Sequence, residues 1–219
     1  MNEPGIIRFD RANPPASLAR RLSRHLATDG VAVFPTETQY ALSTDATSER
    51  GLARVRLIKG RTANQPFSIF LADRRALAEW GITIPDWAEM LAEMFWPGPL
   101  TLILPSAQRV FRRLGGRAHT VGVRVSPEPI VERLCRMTGR PLIATSANPS
   151  GLVLSPSGEN RWLARQAAEH RLIWARPRRY RRLRASTVLD CSKRCVRLVR
   201  DGAIPAQIWR RAVPANRLG

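Results

Sequence analysis

Three short stretches of this chain place hydroxyls, amides and cations where apolar runs end, and each could hold an anionic ligand. The first, PTETQYALSTDAT at 35–47, follows VAVF and sets Thr36 and Thr38 two apart, so both hydroxyls can face one side. A threonine-rich loop that satisfies its own backbone would have the same composition. The second, IKGRTANQP at 58–66, brackets Gly60 with Lys59 and Arg61 near an expected helix end, a place suited to gripping phosphates. Ordinary cationic decoration of a helix C-terminus produces the same pattern. The third, TSANPSG at 145–151, can bind phosphate or ribose through backbone N–H groups and Oγ atoms, or be a plain turn.

These stretches are informative because of the elements around them. Leu18, Leu22 and Leu26 predict a helix over 14–30, and Leu52, Val55 and Ile58 predict another over 47–60, with Ser48 as its cap. Further helices are expected at 73–80, 86–95, 128–138 and 159–169. VAVF, FSIFLA, LTLIL, TVGVRV, PLIATS, LIWA, STVLD and VRLVR read as strands. Strands alternating with helices predict an α/β fold, and the hairpin-like spacing of the last strands favours a mixed sheet. In such sheets ligand crevices open beyond strand ends, where the three polar stretches fall.

Composition narrows the function classes. The 219 residues suit one domain, and 44% hydrophobic content can bury a core without staples. No run approaches the roughly 18 apolar residues of a spanning helix, and the start lacks a basic-then-apolar leader pattern, so a cytoplasmic protein is expected. Cys135, Cys191 and Cys195 make neither a disulfide framework nor a zinc pattern. There is no G-x-x-x-x-G-K-[ST], G-x-G-x-x-G or G-x-S-x-G motif. The net charge is +19, and only Lys59 and Lys193 among the 36 basic residues are lysine. Residues 161–219 hold 16 basic and 3 acidic residues. RLIWARPRRYRRLR, at 171–184, carries seven arginines with Trp174 and Tyr180, a composition able to contact RNA by charge and stacking, or to form a solvated basic face.

Taken in chain order, FPTETQYALSTDAT, IKGR, FWPGPLTLIL, VGVRVSPEP, PLIATSANPSG, ASTVLD and LVRDGAI make a specific set. The chain resembles the YrdC-like threonylcarbamoyl-AMP synthase family in its short, single-domain form. The resemblance divides it into an N-terminal arm (1–15), a catalytic domain (16–204) and a C-terminal tail (205–219). It implies a twisted mixed sheet flanked by helices, with a concave basic cavity. It also implies a nucleotidyltransferase that makes threonylcarbamoyl-AMP and pyrophosphate from L-threonine, bicarbonate and ATP, for threonylcarbamoyladenosine formation in tRNA. By the same resemblance Lys59 and Arg61 are catalytic and bind the ATP phosphates, and Ser146, Asn148, Ser155 and Arg200 line the nucleotide site. Thr36, Thr38, Arg124 and Ser186 surround threonine. Magnesium is expected with ATP and no protein metal site. The partners implied are tRNA or a downstream threonylcarbamoyl-transferase complex, and no membrane.

The sequence departs from the family pattern at Ala41 and Ser43, where glycines are usual, at Phe70, where a histidine is frequent, and at Gln65 and Asp201. GLVLSPS is one residue longer than the usual turn before Ser155. The departures concentrate in the amino-acid half of the expected site. An enzyme activating another carbamate, or a nucleotide- or RNA-binding module without synthesis, therefore stays open at this point.

Overall fold

Alternate residues of the strands point to opposite sides and are claimed by two separate apolar clusters. Val31, Val33, Leu42, Ile69 and Leu71 belong to one cluster, while Ala32, Phe34, Ala41 and Phe70 belong to the other. The computed structural model describes residues 5–116 and 119–218. Residues 1–4 of the expected arm and residue 219 of the expected tail lie outside the described set. Ten strands form one sheet: β1 (Ile6–Phe9), β2 (Ala32–Phe34), β3 (Ala41–Ser43), β4 (Ser68–Leu71), β5 (Leu100–Pro105), β6 (Thr120–Val125), β7 (Leu142–Ser146), β8 (Ile173–Pro177), β9 (Thr187–Asp190) and β10 (Arg197–Arg200). Their spatial order is β1-β8-β2-β3-β7-β4-β6-β5-β9-β10. The sheet is mixed, as expected: β1–β8, β2–β8, β4–β6 and β5–β9 are parallel, and the other neighbours are antiparallel.

Helices cover both faces. The leucine stripe of α1 (Ala16–Ala27) packs with Ile130, Val131 and Leu134 of α5 (Pro129–Thr138) in one cluster. The other holds buried residues of α2 (Glu49–Lys59), α4 (Glu89–Phe95), which follows the short α3 (Ala76–Glu79), and α6 (Pro156–His170). It also holds Trp209 of α7 (Ala206–Trp209), with Ala212 and Val213 beyond it, so much of the expected tail is built into the core. Ser48 caps α2 as expected, its hydroxyl accepting from the Gly51 amide at 2.8 Å.

Two strands differ from the expected pattern. β1 lies in the expected arm and adds an edge by pairing in parallel with β8. β3 lies in the expected polar loop and pairs on both sides, with β2 and β7. Ala41 and Ser43 therefore occupy ordinary strand backbone. Among the described residues, non-glycine positive φ occurs at Asp29, His119 and Arg171, so nothing here requires the left-handed freedom of glycine.

Candidate functional site

Strand register brings together side chains that are far apart in the chain. β4 pairs with β6 so that Phe70 lies opposite Arg124, β3 pairs with β7 so that Ala41 lies opposite Ser146, and β5 pairs with β9 so that Thr101 lies opposite Val188. All six residues line one cavity of about 130 Å³. The loop after β2 contributes Thr36 and Thr38, the segment before β9 contributes Ser186, and Arg61 and Arg200 complete the wall. A larger hollow of about 610 Å³ adjoins it, sharing Pro66, Ser68, Val188 and Arg200.

The loop after β2 is tied by its own hydroxyls. Thr36 Oγ1 accepts from the amides of Thr38 and Gln39, at 3.1 and 3.2 Å, and donates to the Gln39 carbonyl at 2.6 Å. Thr38 Oγ1 lies 3.0 Å from Thr36 Oγ1 and accepts from Arg124 Nη2 at 2.9 Å. The same Nη2 donates to Glu37 Oε1 at 2.6 Å, and Ser126 Oγ donates to Glu37 Oε2 at 2.6 Å. The PTET stretch thus divides its hydroxyls: Thr36 satisfies the turn, while Thr38 lines the cavity beside a buried arginine. Arg11, from the expected arm, steadies this loop. It donates to the Thr36 carbonyl at 3.1 Å and forks onto Glu128.

Arg200 donates from Nε to the Ser186 carbonyl at 3.0 Å and from Nη2 to Ser186 Oγ at 2.8 Å, and Ser186 Oγ lies 2.9 Å from Thr101 Oγ1. Gly202 permits this approach. A Cβ there would lie 2.3 Å from the backbone of Ser186 and Thr187, a distance no side chain tolerates. Arg61 donates to the Pro66 carbonyl at 3.1 Å, and its guanidinium lies 4.8 Å from the Phe67 ring centroid.

The cavity is electrostatically incomplete. Burial, and then the charges of Arg56 and Arg200, lower the Arg61 pKa, while burial and then Arg124 lower that of Arg200. Among the described residues, Arg61 Nε and Arg124 Nε are buried without an acceptor. Guanidiniums that repel one another and hold unused donors form a site for an anion.

Lys59 and Asn148 are not among the lining residues. Lys59 is 2% exposed rather than out on a loop. Its Nζ donates to the Ser146 carbonyl at 2.5 Å and the Asn148 carbonyl at 2.7 Å, with Asn148 Oδ1 at 3.4 Å. It therefore holds the 146–148 turn in shape. Burial, then Arg61, lowers its pKa to about 7. Ser146 lines the cavity, and its Oγ donates to Asn148 Oδ1 at 2.5 Å.

Ser155 lies outside the cavity lining and caps α6, accepting from the Gly158 amide at 3.2 Å. Ser155→Ala is expected to cost about 1 kcal/mol of stability through the lost cap, and Ser155→Asp to recover most of it. Urea unfolding of both variants checks this. Spacing alone missed Thr101 and Ser68 in the wall, and Glu37 as the partner of Arg124. Glu37 was legible as the lone carboxylate of P-T-E-T, but its partner is 87 residues away.

The arginine stretch at 171–184 is not the stacking surface its composition suggested. Trp174 is fully buried in β8, and Tyr180 packs on Tyr40 with ring centroids 3.9 Å apart. Neither ring is presented to bases. Arg182 donates to the Leu154 carbonyl at 2.7 Å, and Arg184 pairs with Asp201 at 2.6 Å.

Comparison with known proteins gives a consistent relationship. The family model for Sua5, YciO and YrdC, described as telomere recombination, matches residues 24–202. A Pyrococcus abyssi protein named threonylcarbamoyl-AMP synthase is 44% identical over 118 residues, covering 54% of this chain and 35% of its own length. The matched stretch thus spans about a third of that protein. A Chromobacterium violaceum protein of the same name is 31% identical over 179 residues, covering 81% of this chain and 90% of its own. The structure of P. abyssi Sua5 complexed with L-threonine superposes with a TM-score of 0.84 at 31% identity, over 98% of this chain and 62% of that one. E. coli YciO shares the fold, with a TM-score of 0.75 at 22% identity over 92% of this chain and 96% of that one.

Proposed function

This chain belongs to the Sua5, YciO and YrdC family, and on that premise we propose that it is an L-threonylcarbamoyladenylate synthase. In the proposed reaction, the amino group of threonine and bicarbonate give a carbamate and water. A carbamate oxygen then attacks the α-phosphorus of ATP. The bond from that phosphorus to the β-phosphate oxygen breaks, and pyrophosphate leaves with the electron pair. The product would supply tRNA modification. Relatives that carry the name of this activity, and a relative solved with L-threonine, support the reading.

The observation that carries it is the convergence of Arg61, Arg124 and Arg200 on one hydroxyl-rich cavity, two of them with a buried Nε that lacks an acceptor among the described residues. Arg200, which lines both hollows, and Arg61, in the wall of the smaller one, would neutralise ATP phosphates. Arg124, fixed by Glu37 and Thr38, would take the threonine carboxylate through its remaining donors. Little covalent work falls to the protein, so positioning and charge neutralisation dominate. Among the described residues, no group of three or more His, Cys, Asp or Glu could hold a metal. Magnesium would therefore arrive on the ATP phosphates as part of the substrate. Among the described residues, no helix is long and apolar enough to cross a membrane.

The test is mass-spectrometric detection of the adenylate from purified protein, ATP, bicarbonate and a panel of amino acids. Threonine should give threonylcarbamoyl-AMP. No adenylate from any amino acid would sink the reading, and an adenylate from another amino acid alone would redirect it to a different carbamate.

Phe70 is buried, lines the cavity and lies 5.7 Å from the Arg124 guanidinium by ring centroid. Where the family often has a histidine, this chain offers a flat apolar wall and no hydrogen bond. Threonine should be accepted with weak discrimination against serine. A methyl in an apolar pocket is worth only about 1–3 kcal/mol, and kcat/KM for the two amino acids measures how much of it remains.

A further inference from the structure

A second cavity, of about 440 Å³, shares Tyr40 with the first as a lining residue. Five guanidiniums line it: Arg8 from β1, Arg176 from β8, and Arg178, Arg181 and Arg182 from the segment after β8. They come from opposite ends of the chain, joined by the β1–β8 pairing that sets Arg8 opposite Arg176. Against them stands one lining carboxylate, Glu159, buried in the first turn of α6, 3.9 Å from Arg182. Burial raises the Glu159 pKa, against the opposing pull of Arg182. Arg176 stacks over Trp174 at 4.9 Å, and Arg8, Arg178 and Arg181 have no carboxylate partner among the described residues. Tyr180, also in the wall, buries a phenol Oη that lacks a partner among the described residues.

We propose that this cavity is a second anion site, separate from the candidate active site, that takes a small molecule bearing an oligophosphate group. Clustered guanidiniums repel one another, and a polyanion relieves that repulsion while accepting paired N–H donors. The phenol supplies one further donor to a phosphate oxygen. The volume falls within the range of roughly 300–1,000 Å³ typical of small-molecule pockets. The hollow suits a compact ligand better than a nucleic-acid strand, because the aromatic rings beside it are packed against each other and cannot receive bases.

The probe is sodium tripolyphosphate, titrated calorimetrically into the full chain. Arg61→Ala, which disables the candidate active cavity, should retain a tripolyphosphate site. Adding Arg178→Gln and Arg181→Gln, both at exposed positions, should weaken that site about tenfold or more. The Arg178→Gln/Arg181→Gln protein alone should keep native circular dichroism and unchanged adenylate synthesis. Arg8→Gln, on the other wall, should weaken tripolyphosphate by a similar factor. A second arm replaces tripolyphosphate with GTP in the Arg61→Ala background. Tighter binding of GTP identifies a nucleotide as the occupant, and equal binding identifies the phosphate chain alone. Loss of all tripolyphosphate binding in Arg61→Ala overturns the proposal, as does binding indifferent to the three outer arginines. Loss of RNA affinity with unchanged tripolyphosphate affinity also overturns it, in favour of a strand.

Discussion

Arg61→Ala should lower kcat/KM for ATP by roughly ten- to a hundredfold, since a lost hydrogen bond to a charged group costs about 1.5–3 kcal/mol. The fold should persist. Arg61 donates to one backbone carbonyl, that of Pro66, and weakly to Thr145 Oγ1, and among the described residues it has no carboxylate partner that its removal would strand. Its Nε is already without an acceptor among the described residues. The side chain is therefore committed to the cavity more than to the architecture. Removing it also relieves its repulsion with Arg56 and Arg200, so stability should hold or rise slightly. The check has two parts: steady-state kinetics at limiting ATP, and urea unfolding of the same preparation. Near-wild-type turnover would remove Arg61 from the phosphate site. A large loss of stability would show that its structural contacts outweigh its charge. Saturating ATP should recover much of the rate if the contact forms equally in the ground state, and none of it if the contact strengthens only as pyrophosphate departs.

Helices and most strands were readable because their apolar periods are local. The α1 stripe of Leu18, Leu22 and Leu26 needs no partner to be seen. β1 and β3 were not readable for the opposite reason. Each is four residues or fewer, and each is a strand because of neighbours elsewhere in the chain: Ile6 pairs with Trp174 and Ala41 with Ser146. The candidate site divides along the same line. Thr38, Arg61, Arg124, Ser146, Ser186 and Arg200 all line one cavity and all lie in motifs identified by their order along the chain. Thr101 sits in an apolar strand with no local sign of a polar role, and it joins the site because the β5–β9 pairing brings Ser186 within 2.9 Å. The Glu37–Arg124 pair exists only through the packing of the β2 loop against β6. The direction of a side chain was the hardest feature to foresee. Lys59 sits at a helix C-terminus, where charge is commonly exposed, yet Gly60 turns the chain in the left-handed region at φ 61° and the lysine goes inward.

That inward turn gives Lys59 an effect unlike that of Arg61, two residues on. Lys59→Met keeps most of the aliphatic stem but strips the donors from the carbonyls of Ser146 and Asn148 and from Asn148 Oδ1. Leaving buried acceptors unsatisfied should cost about 1–3 kcal/mol of stability. Freed of its anchor, the 146–148 turn should lose the placement of Ser146 in the cavity wall, so KM for ATP should rise along with the stability loss. Arg61→Ala lacks that second effect. The pH dependence separates a charge from a hydrogen-bond anchor. The folded protein holds the lysine near 7 against an ordinary value of 10.5, because burial and Arg61 disfavour the ammonium. Between those two values the unfolded chain binds the proton and the folded chain does not. Stability therefore rises with pH through this window and falls as pH drops toward 7, below which both states are protonated and the dependence ends. The stability difference between wild type and Lys59→Met should shift toward wild type between pH 7 and 9.5, as measured by urea unfolding at each pH. A polyphosphate bound beside Arg61 would favour the ammonium and release a cation's worth of that cost. Adding tripolyphosphate should accordingly flatten the wild-type slope and leave that of Lys59→Met unchanged. If both slopes respond equally, the titrating group is not Lys59, and its contribution to the site is limited to holding the turn.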